Sequence, residues 1–254
     1  MNASMMQPAF LPWLGLFELI YRADVFVFLD DFQFSVQSYH QRNRLFVNKG
    51  QVGWYTVPVK KTSSFQKPLC CTQIDEAVPW RKKFWKRIQQ NYEKARYFRD
   101  YETPLREWLL SPAENLAEQN MAFILMMCRF LGFERQFLRS SEKPSQQQRS
   151  ERVLELLRWC AGDCYYSAAG SFEYMFEEKI FPVVDICIYF QDYHPRAYNQ
   201  VGSIGSYVPY LSILDALLNV GPDETVALVK NGTPQWRTWE TMVLSRNASP
   251  GIEP

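Results

Sequence analysis

"MMQPAFLPWLGLFELIYRADVFVFLDD", residues 5–31, holds one complete unit of the expected architecture. The apolar residues around positions 4–7 predict a short strand. Pro12 stands where the first turn of a helix tolerates a missing N–H, so a helix is expected over about Trp13 to Arg22. "DVFVFLDD", residues 24–31, is an aromatic and β-branched run flanked by acids, the pattern of a strand buried on both faces. Strand, helix and strand in so short a stretch make a βαβ unit and imply a parallel pair. The segment does not read as a targeting signal. No Lys or Arg precedes Arg22, and Pro8, Pro12 and Glu18 interrupt the apolar run. A membrane span needs roughly 20 consecutive apolar residues, which the chain nowhere offers, so a cytoplasmic protein is expected.

Further along, "WYTVPV" (54–59) and "LCCTQI" (69–74) read as strands, with Pro58 making the first an edge or terminal strand. Residues 79–131 turn helical. "WRKKFWKRIQQNY" places Trp80, Phe84, Ile88 and Tyr92 at helical spacing, and a second apolar face runs from Leu116 to Phe130 with Gly132 as C-cap. "SSEKPSQQQRSER" (140–152) is a polar loop running into a helix that stops near Gly162. "CYYSAAG" and "VVDICIYF" return to strand character. "SYVPYLSILDALLNVG" is a late helix, with Ser212 and Asp215 on its polar side and Gly221 closing it. The expected fold is α/β: a Rossmann-like, mostly parallel sheet in one domain over 1–254, with a helical insertion at about 79–162.

The 254 residues are 47% hydrophobic and 16% aromatic, enough for a full core, and the net charge of +1 draws the chain toward neither nucleic acid nor membrane. The cysteines at 70, 71, 128, 160, 164 and 187 form no CxxC pair and no zinc-spaced cluster with histidine. They read as reduced thiols, and no metal site is expected. The basic run from Arg81 to Arg99 reads as a solvated helix face rather than a nucleic-acid patch. The residues identify no cofactor.

Asp30 and Asp31 follow the second strand, at the edge where open α/β sheets bind ligands. A carboxylate there can hold a metal, orient a hydroxyl or take a proton. Gln7 stands at the matching end of the first strand. The helix after it aims N–H groups into the same crevice, which favours anions. "SYHQRNRLFV" (38–47) reads as an exposed loop whose Arg42 and Arg44 suit carboxylate or phosphate, and Lys60 and Lys61 follow the next strand. The chain has two histidines, His40 and His194. In an extended "QDYHP" segment Asp192 and His194 share a face, so the aspartate is expected to orient an imidazole base. Pro195 biases His194 toward that extended backbone.

"MQPAFLPWLGLFELI", "ADVFVFLDDFQF", "YHQRNRL", "WYTVPVKK", "NYEKARYF", "YHPRAYNQ" and "YLSILDALLNVG", in that order from about residue 5 to 221, resemble the WbqC-like proteins of bacterial surface-polysaccharide gene clusters, O-antigen among them. The resemblance implies a transferase moving an acyl or aminoacyl group, such as glycine, onto an amino sugar. It implies a sugar nucleotide and an activated acyl donor as partners, with no specific nucleic acid and no membrane span. Carried over by position, the polar residues are Gln7, Asp30, Asp31, Gln33, Arg42, Asn43, Lys60, Tyr92, His194, Tyr198, Gln200, Ser212, Asp215 and Asn219. His194, Asp30, Asp31 and Asp215 are the catalytic candidates, and the others bind substrate. Many relatives have His-Gln-Pro where this chain has Met6-Gln7-Pro8, which shifts base work to His194 or a carboxylate. Two other readings stay open. One is nucleotide handling, with Arg42, Arg44 and Lys60 on phosphates and a metal on Asp30 and Asp31. The other is a non-catalytic sugar-binding module.

Overall fold

The structure is a computed structural model that describes residues 1–248. β1 (Asn2–Met6), α1 (Leu14–Arg22) and β2 (Val25–Phe28) form the expected βαβ unit, with β1 and β2 parallel. All four residues of β2 are buried, as its unbroken apolar run requires. A hairpin of β3 (Arg42–Asn48) and β4 (Gln51–Thr56) and a short helix α2 (Lys61–Ser64) follow. Next come α3 (Trp80–Tyr92), α4 (Phe98–Leu110) and α5 (Leu116–Phe130). β5 (Gln136–Arg139), α6 (Arg149–Trp159), β6 (Cys164–Ala168), α7 (Phe172–Glu178) and β7 (Cys187–Gln191) return to the sheet. α8 (Ile213–Lys230), β8 (Arg237–Thr238) and α9 (Trp239–Ala248) complete the described chain.

The sheet runs β5-β2-β1-β6-β7-β8, and every neighbouring pair is parallel except β7 and β8. It is therefore mostly parallel and Rossmann-like. From β1 the chain moves outward to β2 and β5, then returns to β6 on the other flank, so the order reverses between β1 and β6. The carboxyl ends of strands beside such a reversal open onto a crevice.

Strand parity divides the core in two. Ala3, Met5, Val25, Val27, Ile188 and Phe190 pack against α6, α7 and α9. Phe26 and Phe28 face the opposite way, into a larger cluster with α1, α8 and the helices from α3 to α5. Burying each such side chain contributes about 1.5–3 kcal/mol. Among the described residues no helix is long and apolar enough to cross a membrane.

Three local readings need correction. The polar run from Arg42 is a strand, not an exposed loop. Leu45 and Phe46 are buried in β3, and Asn43 points inward with them, which hides the two-residue alternation. "LCCTQI" is a 3₁₀ turn over Leu69–Cys71 followed by an isolated bridge from Ile74 to Val59. Gly221 closes the first of two helical stretches that meet across a kink within α8, as expected. Its φ is +80°, and a Cβ there would fall 2.5 Å from the Tyr97 ring, so only glycine fits both demands. Finally, β5 and α6 lie within the range 79–162 yet belong to the sheet and its covering layer, so the helical excursion is α3 to α5.

Candidate functional site

A cavity of about 520 Å³ opens at the carboxyl ends of β1, β6 and β7, beside the strand-order reversal. Met6, Gln7, Ala168 and Gln191 come from the strand ends, and Pro12, Trp13, Leu16 and Leu19 from the α1 side. Tyr39, His40, Asn43, Arg44 and Tyr210 complete the wall. The Trp13 indole lies so close over Gly15 that a Cβ at that position would sit 2.3 Å from the ring. Trp13 also packs against Tyr193 and Tyr210, with ring centroids 5.0 and 5.5 Å away.

Among the described residues the wall carries an arginine and no carboxylate. Among the described residues the Arg44 guanidinium has no ion pair, and its Nε is buried without an acceptor. α1 begins nearby at Trp13, whose side chain caps no N–H, and its first turn holds no acid. Both features favour an anion. Arg42, two residues along the strand, lies 4.3 Å from the Trp54 ring centroid instead.

His40 is on the wall and mostly buried. The Ser35 N–H donates to Nδ1 at 3.3 Å, so the neutral ring carries its proton on Nε2 and donates it to Gln7 Oε1 at 3.0 Å. The Gln7 amide nitrogen is then turned to Gln33 O, 3.4 Å away, and to the cavity. Burial pushes the imidazole down to about 4. Protonation at Nδ1 would also set a second N–H against that of Ser35. Because the folded value is depressed, His40 supports folding above about 6.5, and this support is lost as the pH falls from there toward 4. Wild type is therefore expected to lose about 2 kcal/mol more stability than His40→Gln between pH 7 and pH 5. Urea melts of both proteins measure this, and parallel curves would contradict it.

Gln191 ends β7 on the face opposite Phe190, and only 5% of it is exposed. Its Nε2 donates to Gly15 O and Glu18 Oε2, both at 2.8 Å. Glu18, fully buried in α1, also accepts from Thr233 N (2.8 Å) and Thr233 Oγ1 (2.5 Å). Burial raises the Glu18 carboxyl above its ordinary value, while the Thr233 and Gln191 donors pull it back.

The other expected site residues fall into separate groups. Asp30 accepts from Ser140 Oγ, Ser141 N and Ser141 Oγ at 3.2, 3.0 and 2.7 Å. Asp31 accepts from Ser140 Oγ and pairs with Arg152 at 3.0 Å. The two carboxylates thus clamp β2 to the segment after β5, away from the cavity wall. Asp31 and Gln33 line a separate polar depression with Arg149 and Arg152. Among the described residues no three His, Cys, Asp or Glu side chains gather as a metal site.

Asp215, expected on a polar helix face, is fully buried and accepts from Tyr92 OH, Tyr198 OH and Gln200 Nε2 at 2.8, 2.7 and 2.8 Å. Burial raises its carboxyl above the usual range against the pull of those donors. Asn219 joins the same network, with Nδ2 on Asp215 O and Oδ1 accepting from Val201 N, while Ser212 caps α8 through Leu214 N. The structure brings these six residues together as a lock between α3, α8 and the 198–208 segment, off the cavity wall. Asn43 is on the wall, but its Nδ2 is spent on Phe10 O and Leu11 O. Lys60 reaches Gln73 on the surface.

His194 is 66% exposed at its side chain and absent from the cavity wall. Its Nε2 lies 3.4 Å from Asp192 Oδ1, as the spacing implied, but Asp192 also pairs with Arg237 and the His194 backbone is tied to Gly232 O. The expected crevice shared by Gln7, Asp30 and His194 does not form. Of the expected catalytic and substrate-binding residues, Gln7 and Asn43 are on the wall, where Trp13, His40, Arg44 and Gln191 join them.

The fold is that of a Rossmann-like α/β protein with a cavity at its topological switch point. Residues 7–227 match the WbqC-like protein family, and the chain belongs to it. It is also 30% identical over 226 residues to "Uncharacterized protein Rv1507c" of Mycobacterium tuberculosis, covering 87% of this chain and 95% of that protein. No solved structure matches.

Proposed function

We propose that the chain is a transferase that moves an acyl or aminoacyl group onto the amine of a phosphate-bearing sugar, such as a sugar nucleotide, in bacterial surface-polysaccharide or related biosynthesis. The observation that carries this reading is Arg44, a guanidinium that among the described residues has no ion pair and stands on a cavity wall without carboxylates. Such a wall suits a phosphate, and the aromatic and aliphatic remainder suits a sugar ring or acyl chain. In the transfer the amine nitrogen bonds to the donor's carbonyl carbon and the bond to the leaving group breaks. The carbonyl oxygen gains charge on the way, and the Gln7 amide and Arg44 are donors suited to it. His40, neutral and weakly basic, donates to Gln7 and positions it. With no carboxylate on the wall among the described residues, the amine enters as the free base and its proton departs with the leaving group.

The reaction would take place in the cytoplasm on soluble precursors. Comparing metabolites from cells with and without the gene tests the reading. Loss of an N-acylated sugar nucleotide, with its free-amine precursor accumulating, is the expected result. Unchanged nucleotide sugars and unchanged surface glycan would contradict it. The exposed rings of Tyr39 and Tyr210 at the cavity also favour a second reading, a non-catalytic sugar-binding module. Sugar-nucleotide binding by the purified protein without any metabolite change would support that alternative.

A further inference from the structure

Gln191 is a buried amide whose orientation is forced. Its nitrogen faces a backbone carbonyl and a carboxylate, neither of which can donate, so the nitrogen and oxygen cannot be exchanged. Both N–H groups are thereby used. The carbonyl oxygen accepts from no donor among the described residues, yet Gln191 lies on the cavity wall and is 95% buried by its 5% exposure. Unlike the Arg44 Nε, this oxygen is not among the fully buried atoms that lack a partner, so the exposure left to the side chain includes it, and a ligand's donor in the cavity can reach it.

We infer that Gln191 Oε1 receives an N–H of the ligand and makes the pocket selective for an amine-bearing anion. This rests on the reading of Arg44 as the anion site. Glu18 and Thr233 are positioning residues for Gln191. Thr233 donates twice to the Glu18 carboxylate, which holds the amide from behind. The negative charge of Glu18 polarises the Gln191 amide, so Oε1 becomes a stronger acceptor. An ammonium or amine at Oε1 also gains attraction from the buried carboxylate behind the amide, whereas a ligand acceptor at that point would be repelled. Nothing in the transfer chemistry requires Gln191; its part is to select.

The probes are aminoalkyl phosphates of two to six carbons, each compared with the alkyl phosphate of the same length, so that the spacing between anion and amine is scanned. Binding to the full chain is read by NMR titration. At one or more lengths the amine is expected to bind about tenfold tighter than its alkyl counterpart, and Gln191→Met is expected to abolish that preference while leaving alkyl phosphate binding unchanged. In wild type the Gln191 side-chain amide resonances are expected to move on adding the amine but not the alkyl phosphate, a readout that stands even where the variant folds poorly. Alkyl and aminoalkyl phosphates binding equally at every length would overturn the inference and leave the anion site standing, as would a preference that survives Gln191→Met. Binding of neither series would overturn both.

Discussion

Arg44→Gln is expected to weaken binding of a phosphate-bearing sugar by roughly 10- to 100-fold, the value of hydrogen bonds to a charged group. The same substitution is expected to leave the thermal midpoint unchanged or slightly higher. The two effects have one cause. Among the described residues Arg44 holds a buried Nε without an acceptor and has no carboxylate partner, so the folded protein carries an unmet desolvation penalty that glutamine relieves. A residue kept for packing or an ion pair would behave in the opposite way. Calorimetric titration with UDP-glucosamine, paired with a melt, separates the two roles. Binding should also weaken as salt rises, since part of the attraction is Coulombic. Unchanged affinity in Arg44→Gln, or a clear loss of stability, would contradict the assignment.

Asp215→Ala is expected to cost about 3–5 kcal/mol, because it removes the shared acceptor of three buried donors, Tyr92 OH, Tyr198 OH and Gln200 Nε2. For a chain of this size that is a fall in melting temperature of roughly 10 °C or more. The network joins α3 to α8 and to the segment leading into the cavity residue Tyr210, so its loss loosens packing rather than chemistry. An Asp215→Ala protein that melts with wild type but has lost turnover would identify the carboxylate as a catalytic group and refute the structural role given to it here.

These cases show what local sequence carries. The β1-α1-β2 unit was legible because Pro12, Trp13 and the run Val25 to Phe28 each constrain their own neighbourhood. The placing of the crevice at the end of β1 followed from that unit and topology. β3 was hidden because Asn43 is a buried polar residue whose amide serves Phe10 and Leu11, more than thirty positions away along the chain. Asp215 was placed on the polar side of its helix because its partners Tyr92 and Tyr198 lie 123 and 17 positions distant and nothing local marks it as buried.

His194 illustrates the reverse error. Its spacing from Asp192 did bring the two side chains to 3.4 Å, but spacing within a strand end says nothing about which way that end turns. Parity offered a better signal. Ile188 and Phe190 are the apolar side of β7, so Gln191 had to lie on the other face, toward α1, where the cavity is. What no local signal could give is that, among the described residues, no segment brings a carboxylate to the wall beside Arg44.

The central claim is that ligand binds at the ends of β1, β6 and β7 with its phosphate on Arg44. A crystal structure of the protein with UDP-glucosamine bound tests this most directly. Phosphate oxygens within hydrogen-bond distance of the Arg44 guanidinium, with the sugar between Trp13, Gln7 and Gln191, are the predicted result. A ligand seated instead in the polar depression of Asp31 and Arg152, with Arg44 making no contact to it, would contradict the account.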